Sequence, residues 1–338
     1  MALDTGIGTA TLRRWLRLAR TPGNAHERDL DRDLQWLEGP GRALLVASDP
    51  RYPPQLAEIG GAPPVLFIEG DPARLALPQL AIVGSRNASA AGRETAFEFA
   101  ACLAAAGLAI TSGLAAGIDA AAHQGALAAG GVTIAVCGTG LDRVYPAEHT
   151  ELAARIAAQG ALVSEFPVGT PPLAGNFPRR NRLLSGLALG VLVVEAAARS
   201  GSLITARLAG DQGRDVMAIP GSIHDPLARG CHRLIRDGAA LVETPADVLA
   251  VLGIDAPAPA GAPVQRPDRP GISAPALDSA GEMLLNALGF GPVDLDRMVA
   301  RTGLPARTVA SILQLLELHG HVESLPGGRY RRILAGQS

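Results

Sequence analysis

Phe177, Arg179, Arg180, Asn181 and Arg182 stand almost side by side in the chain. An aromatic ring can stack a base, and a guanidinium fork can hold a phosphate, so the cluster suits a single strand of nucleic acid. Further on, an apolar run from Val191 to Val194 ends on a lone acid, Glu195. A small polar turn, Ser200-Gly201-Ser202, then opens a helical stretch. From Gly175 to Ala206 the chain thus reads as a charged-aromatic loop, a buried strand and a strand-to-helix turn. That is the layout of an anion site at the carboxyl end of an α/β sheet.

Other turns carry the same kind of residue. Gly84-Ser85-Arg86 follows an apolar strand, where backbone amides, a hydroxyl and a guanidinium could hold a phosphate. A tight strand-to-helix turn is the other reading of the same residues. Ser112-Gly113 and Gly117 bracket a second turn, and Gly138 and Gly140 a third, with no GxGxxG fingerprint. Asp119 and His123 sit four apart on one helix face, a spacing that suits a structural pair more than a catalytic one. Cys137 has no evident base beside it and reads as a small buried hydrophobe. His224, Cys231 and His232 lack a fourth ligand nearby, so no metal is expected. No nucleophile elbow occurs.

These turns need elements to position them. Between Leu80 and about Gly253, short apolar stretches alternate with helical ones: Leu80–Val83, Leu108–Thr111, Val132–Cys137, Ala161–Ser164, Val191–Val194, Val216–Ile219 and Ala240–Val242. That alternation predicts a doubly wound, Rossmann-like α/β domain with a parallel sheet covered on both faces, with the turns gathered on its carboxyl edge. Residues 1–45 read as a small helical, helix-hairpin-helix-like domain, with Leu12, Trp15, Leu16 and Ala19 on one face and Leu30, Leu34 and Leu37 on another. Gly6-Ile7-Gly8 could be its hairpin or a plain turn. The Rossmann-like domain is placed at 46–253, with an irregular, Pro-rich extension at 46–75 that holds one strand near Val65–Glu69. Residues 254–276, with six prolines, form a linker, and 277–335 a winged helix. Ser279 and Glu282 can form a capping box at its start. The would-be recognition helix carries one Arg and many Leu, which favours contact with protein over reading of DNA.

Composition narrows the class. The net charge is −2 and every one of the 30 basic residues is Arg, so nucleic-acid binding requires a local patch of guanidinium groups. Three cysteines without a CxxC point to a reducing compartment. With no signal-peptide pattern and no long apolar run, a cytoplasmic protein that does not enter the membrane is expected.

Ordered blocks carry a family resemblance: VGSRN (83–87), SGLAAGIDAAAHQGAL (112–127), AVCGTGLDRVYP (135–146), SEFPVG (164–169), GNFPRRNRLLSGL (175–187), VVEAAARSGSLITA (193–206), GRDVMAIPGS (213–222) and GCHRLIRDGA (230–239). Together they resemble the DprA/Smf family. The resemblance implies a Rossmann-like domain that binds and protects single-stranded DNA, dimerises and loads the recombinase RecA during natural transformation. It implies no enzymatic activity and no cofactor. The implied groove takes in Gly84, Ser85, Arg86, Ser112, Gly113, Gly117, Gly138, Gly140, Phe177, Arg179, Arg180, Asn181, Arg182, Ser200, Gly201 and Ser202. Arg86 would contact phosphate and Phe177 would stack a base. Asp119, His123 and Glu195 would brace the groove, Glu195 as the internal partner of its arginines. The chain departs from the pattern at Ala91, where many members carry an aromatic, and at Leu173–Asn176, where many carry a Lys. Two other readings remain: a phosphoribohydrolase-type enzyme with Glu195 as catalytic acid, lacking the PGGxGT-type loop, and a pure interaction scaffold.

Overall fold

Seven short apolar stretches with helices between them can bury both faces only by forming a parallel sheet sandwiched between helices. A computed structural model, which describes residues 9–18, 27–255, 279–288 and 291–333, has this arrangement. Its elements begin with α1 (Thr9–Leu18), α2 (Glu27–Leu37), β1 (Arg42–Val46), the short α3 (Pro54–Ala57) and β2 (Val65–Gly70). There follow β3 (Gln79–Val83), α4 (Ala90–Ala105), β4 (Ala109–Ser112), α5 (Ile118–Ala128), β5 (Thr133–Val136), α6 (Thr150–Gln159) and β6 (Ala161–Ser164). Next come α7 (Asn176–Leu187), β7 (Gly190–Val193), α8 (Ser202–Asp211), β8 (Asp215–Ala218), α9 (Arg229–Arg236), β9 (Ala240–Leu241) and α10 (Pro245–Val251). The last segment holds α11 (Ser279–Leu288), β10 (Val293–Asp294), α12 (Leu295–Thr302), α13 (Ala306–Leu318), β11 (Val322–Leu325) and β12 (Arg329–Arg332).

The main sheet has nine strands in the order β1-β2-β6-β5-β4-β3-β7-β8-β9. Strands β3 to β9 are mutually parallel where they pair, and β1 and β2 join the β6 edge antiparallel. The chain winds outward from β3 to β6, and α7 then carries it back to β7 on the other side of β3. Side chains alternate across the pleat. Leu80 and Ile82 of β3 join the core under α4 and α5, while Ala81 and Val83 join the core under α7 and α8. A third core packs α1, α2 and α6 against the β1–β2 end, and the winged helix has its own core around Leu284, Met298 and Leu313. Helices α4 and α5 approach so closely that a Cβ on Gly125 would lie 2.2 Å from the Phe97 carbonyl oxygen. The chain's many alanines and glycines permit such spacing.

Two expectations change. Residues 42–46 are a strand, not the end of a helical region or an irregular connector: Arg42 to Val46 pair with Glu69 to Val65. A five-residue strand that finds its partner across a Pro-rich excursion has no periodicity long enough to announce itself. The stretch after Gly175 is also not a loop. It forms the first turns of α7, where Pro178 is tolerated because early helical N–H groups lack intrahelical partners. The Gly6-Ile7-Gly8 turn, residues 256–276 of the expected linker and the Ser279 side chain of the capping box lie outside what is described.

Candidate nucleic-acid interface

β3 and β7 are neighbours, and the chain leaves them toward opposite sides of the sheet. The crevice above such a switch is where open α/β sheets bind ligands. Here the turn after β3 is Gly84-Ser85-Arg86, and the segment after β7 leads to Ser200-Gly201-Ser202 at the start of α8. A cleft of about 680 Å³ lies between them. It is closed on a third side by Phe177, Pro178, Arg180 and Asn181 of α7 and at its mouth by Tyr145. Gly117 packs against the Ser85 turn that lines the cleft: its φ is +80°, and a Cβ there would lie 2.3 Å from the Ser85 carbonyl oxygen. Only glycine lets the start of α5 sit directly on the Ser85 turn.

Arg86 is exposed, and among the described residues it pairs with no carboxylate. Its guanidinium carbon lies 5.5 Å from the Phe177 ring centroid, within cation–π range. Tyr145 tilts against the same ring, centroid to centroid 5.5 Å at 43°. Asn181 lines the cleft with its side-chain amide unpartnered among the described residues. Ser200 and Ser202 share a hydroxyl hydrogen bond of 2.7 Å at the opposite wall.

The three neighbouring arginines divide by environment. Arg180 is buried and donates to the carbonyl oxygens of Gly113 (3.0 Å) and Val136, stitching α7 to the ends of β4 and β5. Burial pushes its guanidinium down from the ordinary value, and Asp119 opposes this. Arg179 and Arg182 both pair with Glu165, which is 5 % exposed, and neither lines the cleft. Arg179 also lies over the Phe166 ring, 5.3 Å from its centroid. The internal partner of these arginines is therefore Glu165, not Glu195. Glu195 turns the other way: its carboxylate accepts from the Ser89 amide (2.9 Å) and the Ser89 hydroxyl (2.6 Å) at the start of α4. It lies outside the switch-point cleft, which removes the geometric basis for reading it as a catalytic acid there.

Asp119 and His123 do not pair. Asp119 accepts from the amides of Gly113 (3.1 Å) and Ala115 (3.4 Å), folding the turn after β4. Burial pushes its carboxyl up, and nearby Arg180 pulls it back part of the way. The Thr133 hydroxyl donates to Ile110 O (2.6 Å), so His123 Nδ1 donates to Thr133 Oγ1 (2.6 Å). Burial pushes the imidazole down to about 3. Of the remaining expected residues, Ser112 is buried and donates to Ile82 O, Gly138 backs the Phe177 ring, and Gly140 packs under the Pro167 carbonyl. They shape the cleft without lining it. Burial pushes the Cys137 thiol up to about 12, which keeps it protonated and a poor nucleophile. No cluster of His, Cys, Asp and Glu able to hold a metal occurs among the described residues.

The winged helix reaches this edge of the sheet. Arg331 of β12 is buried, donating through Nη1 to Asp225 (3.0 Å) and through Nε to Glu323 (2.7 Å), and lies 3.9 Å from Glu195. Glu323 in turn accepts from the Ala90 amide at the first residue of α4 (3.2 Å). The residue types of Tyr145, Glu165 and Arg331 do not by themselves mark a site. Tyr145 and Glu165 fall inside sequence blocks noted above, and a tyrosine closing a strand-exit turn was the one available signal.

Fold and cleft together define a class: a doubly wound, Rossmann-like α/β domain with an arginine–aromatic cleft at its strand switch, followed by a winged helix. The chain belongs to the DNA recombination-mediator protein A family, whose model matches residues 43–253, and the DprA winged helix domain matches residues 267–328. It is 44% identical to Protein Smf of Escherichia coli over 335 residues, 97% of this chain and 86% of that one. DNA processing protein A from Streptococcus pneumoniae superposes with a TM-score of 0.63 at 39% identity, over 73% of this chain and 95% of that structure. The Helicobacter pylori DNA processing protein A, described for its single-stranded DNA binding mode, superposes with a TM-score of 0.57 at 28% identity, over 62% and 95%.

Proposed function

We propose that this protein binds single-stranded DNA in the switch-point cleft, protects it, and loads RecA onto it, acting as a homodimer and without catalysis. The observation that carries the reading is Arg86: an exposed guanidinium held against an aromatic ring in a ligand crevice, paired with no carboxylate among the described residues. A guanidinium kept free in this way is suited to phosphate, and the rings beside it to bases. The Helicobacter pylori relative, described by its single-stranded DNA binding mode, supports the choice of ligand. The free thiols of Cys102, Cys137 and Cys231 suit the cytoplasm.

A mobility shift on oligo-dT of graded length tests binding. Retardation that strengthens with length and weakens with salt is expected, and no retardation at any length at low salt sinks the reading. RecA filament growth on strand pre-coated with single-strand binding protein then tests loading: the protein should shorten the lag. Sedimentation tests the dimer. Release of free base from AMP would show an enzyme instead.

A further inference from the structure

Two aromatic rings meet in the cleft, and they are not equivalent. Phe177 is half-buried, and its ring is already engaged on several sides. Gly138 backs it so closely that a Cβ at 138 would lie 2.9 Å from Phe177 Cδ1, the Arg86 guanidinium lies over the ring, and Tyr145 leans against it. A base stacking on Phe177 would compete with these contacts. Tyr145 is 47% exposed, although a tyrosine ring normally gains by burial. Its one contact of note is the tilted contact with Phe177, and its hydroxyl has no partner among the described residues.

The backbone around Tyr145 is held from several directions. Leu141 is buried, the Thr139 hydroxyl donates to Arg143 O, and Asp142 accepts from the Gly169 amide (2.7 Å). On the far side, His149 Nδ1 bonds Leu114 O (2.8 Å). A half-exposed aromatic ring is thus presented to the cleft by a well-anchored loop, so little conformational freedom remains to be lost on binding.

We propose that Tyr145 is the base-stacking platform of this cleft, with Phe177 as the support that holds both Tyr145 and Arg86 in place. The assignment rests on the single-strand reading above and adds to it a division of labour: Arg86 takes phosphate, Tyr145 takes the base next to it. Stacking of this kind tolerates any base, because each has a π face.

Fluorescence anisotropy on the full chain tests it with two probes of equal length, oligo-dT and the same sugar-phosphate backbone without bases. Tyr145→Ala should weaken oligo-dT binding by about fivefold or more, the lower end of what one stacked base contributes. It should leave the affinity for the abasic strand unchanged, and Tyr145→Trp should keep oligo-dT affinity and show indole quenching on binding. Tyr145→Ala that weakens both probes equally, or neither, overturns the assignment while the single-strand reading stands. An unaltered chain that binds neither probe overturns that reading and this assignment with it.

Discussion

Arg86 and Arg179 carry the same charge on the same carboxyl edge, and their surroundings predict opposite behaviour. Arg86 has no carboxylate partner among the described residues, whereas Arg179 is tied to Glu165 at 3.0 Å and lies outside the cleft. Each phosphate contact on a single strand adds about −0.7 to the log–log salt slope of binding. Arg86→Ala should reduce that slope by about this amount and weaken binding at low salt, while Arg179→Ala should leave the slope as it is. Titrations of oligo-dT at several salt concentrations separate the two. His123 makes a second prediction at this scale. Its folded-state value is held near 3, well below the ordinary 6.5, because it is buried. Between these values the unfolded chain binds a proton that the folded chain does not, so stability present above pH 6.5 is lost as pH falls. From pH 7 to pH 5 the native chain should lose up to about 2 kcal/mol more than His123→Gln, read from urea midpoints at each pH.

Helices α4 and α5 show how composition becomes geometry. Gly125 faces the Phe97 backbone with no room for a methyl group, since a Cβ would meet its carbonyl oxygen at 2.2 Å. Gly125→Ala should therefore destabilise by about 1–3 kcal/mol by forcing the helices apart. Gly210 lies inside α8 with nothing within 4 Å of a Cβ. Gly210→Ala should instead stabilise by about 0.5–1 kcal/mol, because the helix gains without a clash. Urea unfolding of the two variants should give shifts of opposite sign. At the same scale, α7 joins fold and site. Its apolar face, Leu183, Leu184 and Leu187, fixes the crossover on the sheet, and that seat brings Phe177 and Arg180 over the ends of β4 and β5.

Across the whole molecule, the winged helix is tied to the cleft's framework by one buried cation. Arg331 joins Glu323 of its own domain to Asp225 and Glu195 of the other, and Glu195 also holds Ser89, just past the Arg86 turn. Removing the guanidinium would leave three carboxylates facing one another without compensation. Arg331→Ala should release the hairpin, breaking the bond from the Ala90 amide to Glu323. Hydrogen exchange at Ala90 should then accelerate while the central strand β4 keeps its protection. Unchanged exchange at Ala90 would show that the domains are held by other contacts.

Most of the fold was legible in the sequence, because its information is local. Apolar runs of strand length, helical periodicity and glycine turns each lie within a dozen residues, and their alternation admits few topologies. β1 escaped that reading because its partner β2 lies beyond a Pro-rich excursion. The candidate site was legible in part: Arg86, Phe177, Asn181 and Ser200 to Ser202 line the cleft, whereas Ser112, Gly113, Gly117, Gly138, Gly140, Arg179 and Arg182 do not. Which charges are free was not. Arg179 and Arg182 are committed by Glu165 on the preceding turn, Arg180 by carbonyl groups of two other strands, and Glu195 by Ser89 with Arg331 nearby. The availability of a charge depends on its neighbours in space and on how far it is withdrawn from water. Spacing along the chain does not encode that, so the tertiary structure alone decided it, leaving Arg86 open to solvent over the Phe177 ring that Tyr145 also meets.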